Sequence, residues 1–335
     1  VLGGRLATVK AKEATRPASK PLLARLRVKG VSGDGVFRFL TLLFGLSLVA
    51  VVLLMLYEMT VVALPSLERF GLRFLTSTTW DPVFADFGAL PAIYATLVTS
   101  ALALLLAVPV GLGAAIFLAE LAPATVRGPA SFLIELLAAI PSVVYGLWGL
   151  FVLVPFVRDP VEKLLGDYLG FLPLFQGPRF GVGMLAGGII LAIMVLPLVT
   201  SVSRDIIRMV PASQKEAMLA LGATRWETIW KVVLPYARSG IVGAVILGLG
   251  RALGETMAVT MVIGNAYRIT PSLFAPAHTI ASQVASEFSE ATSDLYVSAL
   301  IEMGLVLFAI TLVVNILARL LVWRVSRGPK GELRA

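Results

Sequence analysis

Six long apolar stretches, separated by shorter polar segments, dominate the hydropathy pattern of this chain. A helix that crosses a bilayer needs about 20 mainly apolar residues, and each of the six stretches reaches that length. They run over residues 39–64, 91–118, 131–157, 182–202, 240–264 and 297–322. The pattern predicts an all-α, polytopic membrane protein with six transmembrane helices.

The composition agrees with this pattern and narrows the chemistry. The chain has 335 residues, of which 58% are hydrophobic and 14% are charged, whereas a soluble domain carries roughly 25% charged residues. There is no cysteine, and the only histidine is His278. Disulfides, iron–sulfur clusters and thiolate metal sites are therefore excluded, and a histidine metal site or catalytic triad would have no second histidine.

Basic residues are unevenly distributed among the segments between the spans. The net charge is +8, and 21 of the 28 Lys and Arg residues fall in the terminal segments and in the connections after the second and fourth spans. The positive-inside rule places these segments in the cytoplasm. We expect a basic cytoplasmic tail at residues 1–38, a transmembrane domain at 39–323 with a cytoplasmic loop at 203–239, and a cytoplasmic tail at 324–335. Because topology accounts for the basic charge, no nucleic-acid partner is expected.

The loop at 203–239 contains two helix-start signals of the same kind. Ser213 is followed three residues later by Glu216, and Thr224 is followed by Glu227. In such a capping box the hydroxyl accepts from the third backbone amide, and the carboxylate accepts from the first. Gly222 lies where the first helix would end in a left-handed residue. The loop is therefore predicted to form two short helices joined by a glycine turn.

The second of these helices carries an apolar stripe. Trp226, Ile229, Trp230 and Val233 recur at the spacing of one helix face, and Pro235 then constrains the exit of the chain. The stripe either packs on the protein's own transmembrane helices or binds a partner protein, and the residues alone leave both open. A DNA-binding helix-turn-helix is disfavoured, because the flanking spans hold both ends close to the bilayer.

The fifth span contains two charges. Arg251 and Glu255 lie four residues apart near its middle, where a charged residue costs at least ~2.5–3.5 kcal/mol on insertion scales. Their spacing allows an ion pair on one helix face. This pair is either a self-neutralising structural element or an anion site, since the planar guanidinium matches a tetrahedral oxyanion. Thr256 and Thr260 would add hydroxyl donors to such a site. Three glycines allow close helix packing or leave room for a substrate: Gly248, Gly250 and Gly254.

Three more carboxylates lie within the predicted spans. Glu58 and Glu135 lie near the ends of their helices, and Glu302 lies a short way into the sixth span. Ionisable side chains in a membrane face the protein interior and pair with other polar groups. We expect Glu302 and Glu135 to form such intramembrane pairs.

The loop also resembles a known motif. Glu216-Ala217, then Gly222, then Leu234-Pro235 match the spacing of the EAA loop in the membrane subunits of bacterial ABC importers. The resemblance implies a coupling helix that docks in a groove of a cytoplasmic ATPase. The residues expected to make this coupling are Glu216, Ala217, Gly222, Trp226, Trp230, Leu234 and Pro235. An ATPase partner is needed, because none of the eight lysines follows a glycine as a phosphate-binding loop requires.

A second resemblance concerns the charged span. "GLGRALGETMAVTMVIGN", residues 248–265, is similar to the fifth span of phosphate-specific ABC importer permeases, and of their PstC-type subunits in particular. It implies the type I ABC importer permease fold and a translocation site formed by Arg251, Glu255, Thr256 and Thr260. In that site Glu255 would hold the Arg251 guanidinium until phosphate displaces it.

The resemblance also implies the rest of an assembly in the inner membrane of a bacterium. A second, homologous permease would pair with this chain, and two copies of a cytoplasmic ATPase would bind ATP and Mg²⁺ beneath them. A phosphate-binding protein would deliver inorganic phosphate to the outer face. This chain would hold no cofactor and would be a translocation subunit, not an enzyme.

Several alternatives stay open at this stage. Within the importer class, the chain could carry sulfate, molybdate or another oxyanion, or could be the partner permease of the same phosphate system. Outside it, a secondary transporter or channel would use Arg251 and Glu255 as an ion relay, and an integral membrane enzyme is a third class. The EAA loop favours an importer, because a channel has no use for an ATPase-docking helix pair.

Overall fold

The computed structural model describes residues 33–326, so the sequence beyond them, which makes up most of both predicted tails, lies outside the described residues. The first half of the described chain is helical except for a small hairpin between its second and third helices. Its helices are α1 (Gly33–Phe70), α2 (Arg73–Thr76), α3 (Leu90–Ile116), α4 (Ala124–Ala139), α5 (Ser142–Trp148), α6 (Val154–Phe156) and α7 (Lys163–Leu169). The antiparallel strands of the hairpin are β1 (Trp80–Asp81) and β2 (Asp86–Phe87), with Trp80 opposite Phe87.

The second half is also helical. Its helices are α8 (Met184–Arg208), α9 (Ala212–Ala220), α10 (Arg225–Thr228), α11 (Leu234–Gly254), α12 (Met257–Val262), α13 (Ile280–Glu287) and α14 (Asp294–Ser326). Wider π-helical turns continue some of these helices without a break, at Phe117–Leu121, Gly149–Leu153, Val157–Glu162 and Ile229–Val233. A 3₁₀ turn occupies Pro173–Phe175.

Within the described residues, six helical segments are long and apolar enough to cross a membrane. They are Asp34–Phe70, Leu90–Leu121, Ser142–Leu169, Met184–Arg208, Arg225–Gly254 and Asp294–Leu320. The predicted helical class and the six spans are confirmed, and the first, second, fourth and sixth overlap the predicted stretches. The third and fifth differ from prediction in an informative way.

The third predicted span, residues 131–157, combines parts of two separate helices. The first is α4, which ends at Ala139, and the second begins at Ser142 and continues to Leu169. Between them Ile140 is extended, with ψ 129°, because a residue that precedes proline is disfavoured in the α conformation. Pro141 thus breaks the predicted span, and α4, at 16 residues, is shorter than the ~20 needed to cross the bilayer.

The most buried of the spans is α8, which packs mainly against α3 and α11. Glycines permit this close packing. A Cβ atom on Gly188 would lie 2.5 Å from Leu102 Cδ2, and one on Gly240 would lie 2.6 Å from Ile206 Cγ2. At the opposite extreme, every residue of α1 from 34 to 55 is exposed. The core around α8 therefore positions α11, which carries Arg251.

Candidate functional site

The fifth span is broken where its charged residues lie. Helix α11 ends at Gly254, Glu255 is extended with ψ 128°, and α12 begins at Met257. The predicted continuous span over residues 240–264 is therefore wrong. The break leaves the last turn of α11 and the first turn of α12 beside each other in the middle of the predicted span. Discontinuous helices of this kind surround substrate sites in many transporters.

The break also separates Arg251 from Glu255. Among residues 33–326, no carboxylate oxygen lies within 4.0 Å of the Arg251 guanidinium. The predicted ion pair is therefore wrong, because i and i+4 face each other only along a continuous helix. Glu255 Oε1 instead accepts from the Ala258 backbone amide at 3.4 Å. Arg251 is exposed, and it lies near enough to Tyr145 on α5 to interact electrostatically with that hydroxyl.

The two threonines beside the break use their hydroxyl protons locally. Thr256 Oγ1 donates to the Gly254 carbonyl at 3.3 Å, and Thr260 Oγ1 donates to the Thr256 carbonyl at 2.7 Å. A hydroxyl has one proton to donate and two lone pairs that accept. The expectation that these residues supply donors to an anion is not met in this arrangement. Both oxygens keep their capacity to accept a hydrogen bond.

The three glycines around Arg251 have different surroundings. A Cβ atom on Gly248 would lie 2.8 Å from Val195 Cγ1 on α8, so this glycine permits close helix packing. Gly250 and Gly254 have open space where a Cβ would be. Of the two roles that the sequence allows, close packing therefore applies to Gly248 and open space to Gly250 and Gly254.

Residues 211–240 fold as a helix, a glycine turn and a second helix, as predicted. Gly222 has φ +83°, the left-handed conformation expected at the end of α9. The Thr224–Glu227 capping box is present, with the Glu227 amide 3.2 Å from Thr224 Oγ1. The Ser213 box is wrong: the cap position of α9 is Pro211, two residues earlier, and no side chain caps the helix. Pro211 starts the helix instead, since its fixed φ suits a helix start.

The apolar stripe of this segment is divided between two environments. Ile229 and Val233 are buried, whereas Trp226 and Trp230 are 60% and 54% exposed. The two indole rings contact each other edge to face, with centroids 5.6 Å apart. Pro235 does not end the helix, because α10 continues through a π-helical turn into α11 as one segment. One part of the stripe therefore packs internally, and the tryptophans stay available for a partner.

The EAA positions are likewise accessible. Glu216 and Ala217 are exposed on α9, and Pro235 is exposed at the start of α11, where Leu234 is half-buried. The preceding residue, Lys215, has its Nζ 2.5 Å from Glu120 Oε1 at the end of the second span. This partly buried ion pair ties α9 to the membrane helices, and Glu216 stays exposed.

Comparison with known proteins bears on both sites. Residues 107–327 match the family described as binding-protein-dependent transport system inner membrane component. The chain belongs to this family. It is 52% identical over 265 residues to the phosphate transport system permease protein PstC of Mesorhizobium japonicum, covering 78% of this chain and 81% of that protein. The protein of the same name from Haemophilus influenzae is 47% identical over 298 residues, covering 88% and 94%.

Solved structures show the same fold for this permease. A bacterial alginate ABC transporter, solved with a periplasmic protein bound to an alginate pentasaccharide, aligns with a TM-score of 0.60 at 17% identity and covers 89% of this chain and 99% of that one. An inward-facing MetNI methionine ABC transporter aligns with a TM-score of 0.52 at 17% identity, covering 70% and 95%. At such identities the likeness concerns the fold alone. The permease has the type I ABC importer permease fold and is a multi-pass inner-membrane protein.

Two carboxylates of the permease have the partners that were expected of them. Glu135 Oε1 on α4 lies 3.2 Å from Arg204 Nη2 on α8. Glu302 on α14 is 3% exposed and accepts from the Ser66 hydroxyl on α1, while the Ser66 amide donates to Ser298 Oγ at 3.0 Å. Each residue therefore has a polar partner, and the prediction that these pairs lie within the membrane stays a prediction. Glu302 thus has a neutral partner, and Glu135 has a charged one.

Three charged residues that the fold brings into or near the spans were not among the predicted site residues. Arg204 was assigned to the loop, but α8 continues to Arg208. Glu162 is fully buried in the lengthened third span and accepts from the Gly181 amide at 3.0 Å. Glu120 was not considered as a partner for Lys215. Continuing the helical period beyond the apolar stretches would have placed the first two, whereas the third pairing depends on tertiary structure.

One polar cluster lies apart from these sites. His278, between α12 and α13, is 5% exposed, and its Nε2 lies 3.2 Å from Ser286 Oγ. Burial lowers the pKa of His278 to about 4, and this effect outweighs the hydrogen bonds with Gln283 and the Ser282 backbone, which raise the pKa. Burial also raises the pKa of Tyr267 above its ordinary range, and the nearby Glu287 adds to this shift. Both groups are therefore neutral at physiological pH.

Proposed function

We propose that this chain is a membrane-spanning permease subunit of an ATP-driven importer that carries inorganic phosphate across the cytoplasmic membrane. Relatives named as phosphate transport permeases support this substrate, including one 41% identical over 314 residues from Mycobacterium tuberculosis that covers 91% of this chain. The polar groups at the break in the fifth span also support phosphate as the substrate, and this support does not depend on the names of the relatives.

The observation that carries the proposal is the exposed Arg251 beside the helix break, which has no carboxylate within 4.0 Å among residues 33–326. An arginine in the middle of a span is retained where it faces a water-filled path or a ligand. Its planar fork suits a phosphate oxygen pair, which it binds by two parallel hydrogen bonds. No carboxylate of the described residues binds the Arg251 guanidinium. An anion can therefore bind it without first displacing a carboxylate. Glu255, which was expected to hold the fork, instead supports the start of α12.

The acceptor oxygens nearby favour phosphate over sulfate. At neutral pH phosphate still carries acidic protons, whereas sulfate carries none. The hydroxyl oxygens of Thr256 and Thr260 have lone pairs free to accept from a P–OH group, and Glu255 is a half-buried carboxylate with acceptor capacity. A site that offers one cation and several acceptors binds an anion that also donates, and it penalises one that does not.

Transport energy would come from a partner. We infer that Glu216, Ala217, Gly222 and the exposed pair Trp226 and Trp230 dock on a separate ATPase, which binds ATP and Mg²⁺. Exposed tryptophans are common anchors of protein interfaces. A second, homologous permease, a second ATPase copy and an external phosphate-binding protein complete the assembly, with both termini of this chain in the cytoplasm.

Radiolabelled phosphate uptake tests this function. The chain would be produced with its neighbouring transporter subunits in bacteria that lack their own phosphate permeases. We expect ATP-dependent uptake that excess unlabelled phosphate abolishes and excess sulfate leaves unchanged. Uptake blocked equally by sulfate would show a general oxyanion permease, and uptake that persists without the ATPase subunit would show a different class of transporter.

A further inference from the structure

A groove runs between α11 and α14 on the surface of the membrane region. Three adjoining cavities, of about 440, 670 and 340 Å³, form it and share Arg319. Its principal lining residues are Gly243, Leu247 and Gly250 on α11 and Leu312, Asn315 and Ile316 on α14. We call it the α11–α14 groove. Gly250, which lies next to Arg251 in the sequence, forms one end of the groove, but Arg251, Glu255, Thr256, Thr260 and the docking residues are not among its lining.

Glycines keep the floor of this groove open. Gly243 and Gly250 have no atom within 4 Å of the position where a Cβ would lie. The walls are apolar and exposed: Leu247 is 56% exposed, Leu312 50% and Ile316 48%. A shallow channel with such walls suits a flexible hydrocarbon chain.

The length of the groove matches one leaflet of a bilayer. Ten residues of α11 separate Gly250 from Gly240, and at ~1.5 Å per residue they span about 15 Å. The hydrocarbon core of a bilayer is about 30 Å thick, so this distance is half of it. A groove of this length that begins at one membrane surface reaches the middle of the bilayer.

A positive charge lies at the surface end. Arg319 lines the cavity that reaches Ser239 and Gly240, and no carboxylate oxygen of residues 33–326 lies within 4.0 Å of it. Trp323, one turn further along α14, is 50% exposed. Arginine and tryptophan at the end of an apolar span mark the headgroup level of a membrane.

We propose that the α11–α14 groove binds one anionic phospholipid. An acyl chain lies over Gly243 and Gly250, and the phosphodiester contacts Arg319. Basic pockets between membrane helices bind anionic headgroups in this way. A helix from a second permease packed in the groove would instead exclude water from the Arg319 guanidinium. Burying that charge without a carboxylate partner is costly in free energy. Charge complementarity therefore favours lipid, and the inference does not depend on which substrate is transported.

The purified transporter complex containing the full chain would be titrated in detergent with phosphatidylglycerol and, separately, with phosphatidylcholine. Native mass spectrometry counts the bound lipid. Arg319→Gln removes the charge, and Gly243→Leu fills the floor of the groove where a side chain meets open space. Arg208→Gln and Gly113→Leu are the matched controls, since Arg208 is an exposed arginine on α8 and Gly113 an exposed helical glycine with open space around it.

We expect the wild type to bind phosphatidylglycerol more tightly than phosphatidylcholine. Arg319→Gln should weaken phosphatidylglycerol binding about fivefold, the loss of one basic contact near the membrane surface, and leave phosphatidylcholine binding unchanged. Gly243→Leu should weaken both, and neither control should change either. Unaltered phosphatidylglycerol binding by Arg319→Gln would overturn the proposal. So would a Gly243→Leu variant that melts normally but loses its partner permease, because the groove would then be a subunit interface.

Discussion

Arg204 and Arg251 are two of the arginines in the membrane helices of this permease, and they have opposite surroundings. Arg204, in the last turns of α8, is 6% exposed, with Nη2 3.2 Å from Glu135 and Nε 2.9 Å from Asp205. Arg251, in the last turn of α11, is exposed and has no carboxylate within 4.0 Å among the described residues. Both side chains are costly in a membrane. Of these two, Arg204 is neutralised by carboxylates of the described residues, whereas Arg251 stays available to a ligand.

Backbone geometry causes this difference. Arg204 lies within a continuous helix, and α4 packs against that helix and brings Glu135 to it. Arg251 has a carboxylate at the right sequence spacing, but the chain leaves the helix at Gly254, and Glu255 accepts from the Ala258 amide instead. A spacing of four residues makes a pair only while the helix continues. Thus the break converts a potential structural pair into an open cation.

The largest effect on uptake is expected for substitution of Arg251, the arginine without a carboxylate partner among the described residues. Arg251→Gln should lower phosphate uptake by roughly 10- to 150-fold, since a hydrogen bond to a charged group contributes about 1.5–3 kcal/mol. Complex assembly and the thermal melting midpoint should not change, because the side chain has no ion-pair partner in the described chain to lose. The measurement is radiolabelled uptake normalised to assembled transporter, with Arg268→Gln as the control. Wild-type uptake by Arg251→Gln would remove Arg251 from the translocation path.

The paired arginine should respond in the opposite manner. Arg204→Ala removes a buried stem and two ion pairs, so the free energy of unfolding should fall by about 2 kcal/mol. Uptake per folded transporter should stay within about twofold of wild type, an effect small compared with loss of a substrate contact. Thermal melting of the purified complex measures the first quantity.

Glu135→Gln provides a graded comparison for that experiment. The Glu135 side chain is 59% exposed, and Arg204 would keep Asp205, so the melting midpoint should fall less than in Arg204→Ala. If Arg204→Ala instead reduced uptake without lowering the melting midpoint, the distinction between a structural and a transporting arginine would be wrong.

The large-scale organisation could be predicted from the sequence, because it depends on length and hydropathy alone. The six spans follow from apolar runs, and the left-handed Gly222 and the Thr224 cap follow from local hydrogen bonding. These features need no knowledge of neighbouring helices. Features that depend on hydrogen bonds within one or two helical turns can therefore be predicted before the fold is known.

Breaks inside apolar runs were harder to predict. Pro141 carries a known signal, the disfavoured α conformation of the residue before it, yet hydropathy alone joined the two helices across it. The break at Gly254 has only a weak signal, since glycines in this span also serve close packing, as Gly248 does. Similarly, Ser213 had the pattern of a cap, but Pro211 started the helix first. Where two local signals compete, tertiary context decides.

The same contrast between paired and open charges recurs in α9. Lys215 pairs with Glu120, whereas the adjacent Glu216 is exposed and has no ion-pair partner among residues 33–326. We expect Lys215→Gln and Glu120→Gln to couple by about 1 kcal/mol in a double-mutant cycle of thermal stability, since the pair is only partly buried. Each should also raise the ATP hydrolysed per phosphate imported, because α9 would be held less firmly. Glu216→Gln is the control and should leave the stability of this chain unchanged. Additive effects of Lys215→Gln and Glu120→Gln would show that the ion pair does not contribute to stability.

The smallest effect is expected for His278, a buried side chain that is neutral at physiological pH. Because burial lowers the pKa of His278 to about 4 from an unfolded value of ~6.5, the unfolded chain binds a proton before the folded one does. Stability is therefore fully present above pH 6.5 and falls as the pH drops towards 4, by less than about 1 kcal/mol at pH 6. The melting midpoint of the complex at pH 8 and pH 6 measures this, and His278→Asn should remove that part of the difference. A variant as pH-sensitive as the wild type would place the titrating group elsewhere. Uptake should not depend on His278 between pH 6.5 and 8, because His278 stays neutral in the folded protein over that range. The positive charge at the translocation site is that of Arg251.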